Sequence, residues 1–256
     1  MASRSALPLL LLAALAAAFV LSYSALSAAS VNPGPQTLTS VAPELPAAPA
    51  PAPKRKPRPH WRSVVLRRPV PLRESPDGRL VTRVGTSTDF GSTRVMSVAA
   101  RRGPWLGVVS TEMPNGKLAW VHEKAGLRLR RAAYSLHADL SKRRLELRRN
   151  GRLIRRISVA IGRPGSETPT GRFAVTDKLR GGNYGPYYGC CILALNAHQP
   201  NLPAGWQGGN RIAIHGTDSP GTIGSPASAG CLRAADSGLE ILMRRVPLGT
   251  PVFIKN

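Results

Sequence analysis

The sequence predicts a mainly β protein divided into two small folded units, with one short helix near its C-terminal end. Three observations carry this reading: short strand-like apolar runs, turn signals at close intervals between them, and a proline-rich stretch that sets an apolar N-terminus apart. With 256 residues and 42% hydrophobic content the chain is long enough for a globular core, and its 24 unevenly spread prolines favour subdivision.

Residues 1–29 have the three-part layout of an export signal. Arg4 precedes an almost unbroken run of Leu, Ala, Val and Phe from Leu7 to Leu21, and small residues follow from Ser22 to Ser30. Cleavage fits after Ser27 or after Ala29. Alternatively the apolar run stays in place as an uncleaved membrane anchor. Residues 30–60 are rich in Pro and Ala, a composition that buries little and tends to extended polyproline geometry, so they read as a stiff basic linker. Export places the protein at the cell wall or on the outer face of the membrane.

A net charge of +23 would suggest nucleic acid in a cytosolic protein. Export removes that partner. The clusters at Lys54-Arg55-Lys56, Arg128 to Arg131 and Lys142 to Arg156 then point to anionic wall polymers or the membrane surface, or simply to solvated faces.

Residues 61–132 carry five short strand-like pieces: Val64-Val65-Leu66, Leu80 to Val84, Val95 to Val98, Trp105 to Val109 and Leu118 to Val121. Ser75-Pro76-Asp77-Gly78 and Pro114-Asn115-Gly116 supply hairpin turns. The pattern resembles a bacterial SH3-like barrel of the sort found in wall proteins.

Residues 133–256 form the second unit. Tyr134 to Leu140 and Arg144 to Arg148 alternate, and Asn150-Gly151 is a strong hairpin signal into Leu153 to Ile161. Further strands are expected at Gly171 to Thr176, Ile192 to Leu195, Arg211 to His215 and Thr250 to Ile254, with a helix from Gly238 to Arg245 capped by Ser237 and Glu240. Lys178 to Asn210 is dense in Gly, Tyr and Pro and reads as an irregular insertion. Tyr188 and its aromatic neighbours can line a groove for an extended substrate.

Cys190, Cys191 and Cys231 are the only cysteines, too few for a disulfide framework. Adjacent cysteines seldom bond to each other and face opposite sides of a strand, so Cys190 and Cys191 read as buried thiols, with pairing of one of them to Cys231 or to another chain as the alternative. The chemistry lies at Cys231. His215 ends a strand-like run, and sixteen positions later Cys231 follows the turn Ser228-Ala229-Gly230. A histidine that takes the thiol proton and returns it to a leaving amine is the equipment of a thiol acyltransferase or hydrolase. Lowering the thiol pKa falls to His215, and Gly230 permits a tight turn whose amides can face an oxyanion.

Around these residues the chain resembles the L,D-transpeptidase catalytic domain of the YkuD family. The resemblance rests on His215-Gly216, on Ser228-Ala229-Gly230-Cys231-Leu232-Arg233, on the upstream Thr168-Pro169-Thr170-Gly171-Arg172-Phe173, and on the closing Leu248 to Val252. It implies the family's β-sandwich and a reaction on peptidoglycan stem peptides without metal or organic cofactor. Cys231 would attack the carbonyl of the third stem residue and expel D-alanine, and a neighbouring amine would resolve the thioester into a 3→3 cross-link. It also implies that the Gly216 carbonyl steadies His215, while Arg233 can hold a substrate carboxylate. Ala229 departs from the family motif, which has histidine there, and His198 is a candidate to replace it in space. The alternatives are an L,D-carboxypeptidase, in which water resolves the thioester, and a non-catalytic wall-binding protein.

Overall fold

The computed structural model describes Gly34 and residues 61–256. The expected export signal and linker lie outside the described residues. Among the described residues, no helix is long and apolar enough to cross a membrane.

The chain is mainly β with one α-helix among the described residues. The first sheet contains β1 (Trp61–Leu66), β2 (Val70–Arg73), β3 (Leu80–Val84), β4 (Val95–Arg102), β5 (Trp105–Val108), β6 (Ala119–His122) and β7 (Leu127–Ala132). Its order is β3-β2-β6-β5-β4-β1-β7, antiparallel throughout. The five expected strands are present, and both predicted turns sit between strands, with Asp77 at φ 55° and Gly116 at φ 80°. Two strands escape the sequence reading. β2 is only four residues long and contains Pro71, while β7 is an arginine-rich edge strand with both faces largely in water. Both alternate, but β2 is too short to stand out and the leucines of β7 do not mark a buried face, while charge on an edge strand discourages further pairing.

The second sheet has the order β10-β9-β8-β17-β12-β13-β14-β16. Its strands are β8 (Tyr134–Asp139), β9 (Arg144–Arg149), β10 (Arg152–Ser158), β12 (Gly171–Arg180), β13 (Cys191–His198), β14 (Arg211–His215), β16 (Leu232–Arg233) and β17 (Pro251–Lys255). The short strands β11 (Ile161–Gly162) and β15 (Pro226–Ser228) pair separately. Asn150 and Gly151 take φ 49° and 81° in the β9–β10 turn, the left-handed geometry that an Asn-Gly hairpin uses. Leu136, Leu145, Leu147, Phe173, Leu193 and Ile214 meet in the core, which the helix α1 (Asp236–Arg245) closes with Leu239 and Leu242.

Three expectations need correction here. The insertion from Lys178 to Asn210 is not irregular throughout: the strand expected at Ile192 to Leu195 runs through it as β13, longer than expected at both ends and buried on both faces. The helix begins at Asp236 rather than Gly238, and the Ser237 and Glu240 cap is unused. Ala235 is the N-cap without a side-chain bond, its carbonyl accepting from Gly238 at 2.9 Å. Finally, Cys190 and Cys191 form a disulfide with each other. Cys190 precedes β13 and follows Gly189 at φ 58°, so the pair does not obey strand alternation.

The two sheets meet through specific polar contacts. Arg172 Nη2 donates to the Val98 carbonyl at 2.6 Å, and Asn115 exchanges two hydrogen bonds with the backbone of His198 at 2.6 and 2.9 Å.

Candidate active site

The central pair of the site comes from neighbouring strands. β14 is a continuous buried run that ends on His215, and it pairs in parallel with β16, placing Ile214 beside Leu232 and His215 beside Arg233. Cys231 immediately precedes β16 and its thiol lies against the backbone of β14. The Ala213 N–H donates to Sγ at 3.4 Å, and the thiol donates to the Arg211 carbonyl at 3.9 Å.

His215 is fully buried, and its Nδ1 lies 2.6 Å from the Gly216 carbonyl. A carbonyl only accepts, so Nδ1 carries the proton and the neutral ring presents a lone pair at Nε2. Among the described residues Nε2 has no hydrogen-bond partner. Burial lowers the His215 pKa to about 4; the Gly216 carbonyl opposes this and the Arg233 charge adds to it. The imidazole is therefore neutral near pH 7. Burial also pushes the Cys231 thiol up, against the smaller lowering effects of the Ala213 N–H and Arg233.

The resting site thus holds a neutral thiol and a neutral imidazole that are not hydrogen-bonded to each other. The sequence assigned His215 the task of lowering the thiol pKa, and in this state burial outweighs any such effect. Proton transfer requires the thiol to turn from the Arg211 carbonyl toward Nε2. Catalytic hydrogen bonds commonly tighten only when substrate is bound.

Gly216 is built into the packing as well as into the histidine contact. Its N–H donates to the Cys191 carbonyl at 3.0 Å, and a Cβ there would lie 2.8 Å from Gly189 Cα. Ser228 is buried and braces the cysteine turn: its Oγ accepts from Gly230 N–H at 3.1 Å and donates to the Cys231 carbonyl at 2.6 Å. This use of the Gly230 amide removes it from the oxyanion role expected of it. Gly230 itself sits at φ 119°, a conformation that other residues rarely adopt.

Arg233 is not a solvated loop arginine. It is 9% exposed, its guanidinium lies 4.5 Å from the centre of the Tyr187 ring, and it hydrogen-bonds the Tyr187 hydroxyl. Tyr188 packs 5.0 Å from His215, and burial first, then proximity to Cys231, raises its pKa. His198 does not replace the missing motif histidine: its ring contacts the Thr111 carbonyl at 2.9 Å and Asn210 at 3.2 Å.

Two participants escaped the sequence reading. Tyr187 lies 5.6 Å from His215, and the Tyr187-Tyr188 pair gives no sign of which ring covers Arg233. Gln199 is buried, and its Nε2 donates to the carbonyls of Ser166, Glu167 and Ala229. It thereby ties the cysteine turn to the segment leading into Thr168-Pro169-Thr170-Gly171. Thr168 Oγ1 in turn accepts the Gly162 N–H at 2.9 Å.

A histidine with a free Nε2 beside a strand-anchored thiol defines, as a class, a site able to perform thiol acyl transfer. Comparison narrows that class: residues 133–254 match the family model YkuD, the L,D-transpeptidase catalytic domain. The chain is 30% identical over 123 residues to YkuD of Bacillus subtilis, a protein whose name assigns it provisionally to the L,D-transpeptidases. It is 33% identical over 104 residues to YqjB of the same organism, named in the same way. These alignments span 47% and 38% of this chain, and 65% and 57% of the relatives, less than two thirds of either. Among solved structures, an L,D-transpeptidase from Mycobacterium smegmatis aligns with 68% of this chain and 93% of its own, at 16% identity and a TM-score of 0.40.

Proposed function

We propose that residues 133–256 form the catalytic domain of an exported L,D-transpeptidase that cross-links peptidoglycan stem peptides through a Cys231 thioester. The observation that carries this reading is the His215 tautomer: Gly216 fixes the proton on Nδ1 and leaves Nε2 without a partner among the described residues, on a strand that pairs with the one Cys231 precedes. His215 Nε2 takes the thiol proton, and the thiolate attacks the carbonyl of the third stem residue. The tetrahedral intermediate collapses as His215 returns the proton to the departing D-alanine amine. An acceptor amine then attacks the thioester, gives its proton to Nε2, and releases Cys231.

The remaining residues receive matching roles. Ser228 keeps the cysteine turn in shape, and Tyr188 covers His215. Arg233 supplies positive charge beside both reacting groups and faces a substrate carboxylate. The upstream sheet, read as an SH3-like module over residues 61–132, exposes Arg128, Arg130 and Arg131 toward anionic wall polymers or a membrane surface.

Intact-mass measurement after exposure to a carbapenem tests the thiol mechanism. An adduct is expected on the wild type and none on Cys231→Ala. A folded wild-type protein without an adduct points instead to a non-catalytic wall-binding role. Incubation with muropeptides then separates dimer formation from release of D-alanine alone, the outcome that identifies an L,D-carboxypeptidase.

A further inference from the structure

One loop of the first sheet reaches the strand that carries the catalytic histidine. Thr88 lies in that loop, between β3 and β4, where its Oγ1 accepts the Ser92 N–H at 3.1 Å and donates to Asp177 Oδ1. Asp177, on β12, is fully buried; its Oδ2 makes no hydrogen bond among the described residues and lies 3.9 Å from Arg211 Nη2. Arg211 opens β14. Its Nε donates to the Leu195 carbonyl at 2.8 Å, its Nη2 to Thr176 Oγ1 at 2.9 Å, and its guanidinium lies 5.9 Å from the centre of the Phe90 ring. The carbonyl of this same residue accepts the Cys231 thiol.

We propose that Thr88, Asp177 and Arg211 are positioning residues, a relay through which the first sheet sets the place of Cys231 Sγ against β14. The side chain of Arg211 is held by Asp177, Thr176 and Phe90, and its backbone holds the thiol. A loosely paired buried aspartate and arginine contribute little to stability after desolvation, and fixing a register is the best-attested use of such a pair. Phe90 supplies a parallel route, since its ring meets Tyr184 at 6.4 Å, Tyr184 meets Tyr188 at 6.3 Å, and Tyr188 covers His215 at 5.0 Å.

The charged and titratable groups around the two ends are distinct. Arg233 and Tyr188 act on Cys231, and Arg233 acts on His215 as well, whereas Asp89, Glu112 and Arg94 act on Arg211 together with Asp177. A change made at Thr88 therefore reaches the thiol through the position of β14 rather than through a new charge beside it. The relay rests on Cys231 being the reactive thiol, not on the substrate that acylates it.

Thr88→Val in the full chain keeps the shape and removes the hydroxyl, and with it both the donor to Asp177 and the acceptor of the Ser92 N–H. The rate of Cys231 alkylation by iodoacetamide, followed by intact mass across pH, is the measurement. Slack at Arg211 weakens the Ala213 N–H contact that favours the thiolate, so the profile moves to higher pH. A half-unit move slows alkylation about threefold near neutrality. Thr88→Ser restores the wild-type profile. A Thr88→Val protein that melts earlier but alkylates with the wild-type profile overturns the relay and leaves a plain brace. A wild-type thiol that alkylates normally but takes no carbapenem adduct removes the transpeptidase reading and leaves the relay standing.

Discussion

The cysteine turn and the histidine that faces it are built on opposite plans. Around Cys231, Ser228 accepts the Gly230 N–H and donates to the Cys231 carbonyl, Gln199 donates to the Ala229 carbonyl, and Ala213 donates to the sulfur. At His215 one nitrogen is fixed by Gly216 and the other is buried without a partner among the described residues. The polar groups that shape the cysteine turn are paired within the protein, whereas His215 Nε2 is left open and able to take a proton.

The most damaging way to break this comparison is to close the open valence. His215→Gln keeps a polar side chain but removes a base that can take and return a proton, so the rate of carbapenem acylation is expected to fall by about 10²–10⁴-fold. Loss of less than tenfold would show that Cys231 ionises without His215.

A buried neutral histidine also leaves a mark on stability. The His215 pKa is about 4 in the folded chain against the ordinary histidine value of 6.5, so between those values the unfolded chain binds a proton that the folded chain does not. Falling pH therefore favours unfolding from about 6.5 downward, and this loss stops growing below about 4. His137 adds to the same window, with a pKa of about 4 from burial, then Arg148, against Glu146. His215 accounts for at most about 1.4 kcal/mol per pH unit there, and the partly wetted His137 for less. Urea midpoints at pH 7 and pH 5 check the sign: an unchanged midpoint would mean that the imidazole at position 215 protonates normally.

Breaking the satisfied side has a smaller effect. Ser228→Ala leaves a buried N–H at Gly230 without an acceptor, which is expected to cost about 1–3 kcal/mol in chemical denaturation. Carbapenem acylation should slow as well, because the turn that holds the thiol loses both of the bonds that Ser228 makes within it. A stability change without a rate change would separate the scaffold from the chemistry.

Much of the architecture was legible because it depends on local rules. Asn150-Gly151 marks its hairpin, and the alternating runs at Tyr134 and Arg144 pair as β8 and β9. His215 and Cys231 were legible as a base and a thiol in ordered spacing. What stayed hidden depends on contacts distant in sequence. β7 alternates leucine with arginine yet is largely wet on both faces, so its pattern marks no core side. Gln199 looks like any polar residue at a strand end until the fold brings Ala229 to it. Arg233 reads as exposed by composition, yet the ring of Tyr187 covers it.

Gln199 gives the finest test of the contrast, because it satisfies acceptors rather than donors. Its Nε2 serves the carbonyls of Ser166, Glu167 and Ala229 at 3.0–3.2 Å, and its Oε1 accepts the Asn201 N–H at 3.1 Å. A carbonyl tolerates the loss of a donor better than a buried N–H tolerates the loss of an acceptor. Gln199→Met retains most of the volume, so it is expected to cost about 1 kcal/mol, less than Ser228→Ala. The amide also stands where a side chain at position 230 would go, since a Cβ on Gly230 would lie 2.1 Å from Gln199 Nε2. Removing the amide therefore loosens the turn at the residue just before Cys231. If Gln199→Met proves as costly as Ser228→Ala, then the three carbonyls matter as much as the one amide, and the turn is held from Gln199 rather than from within.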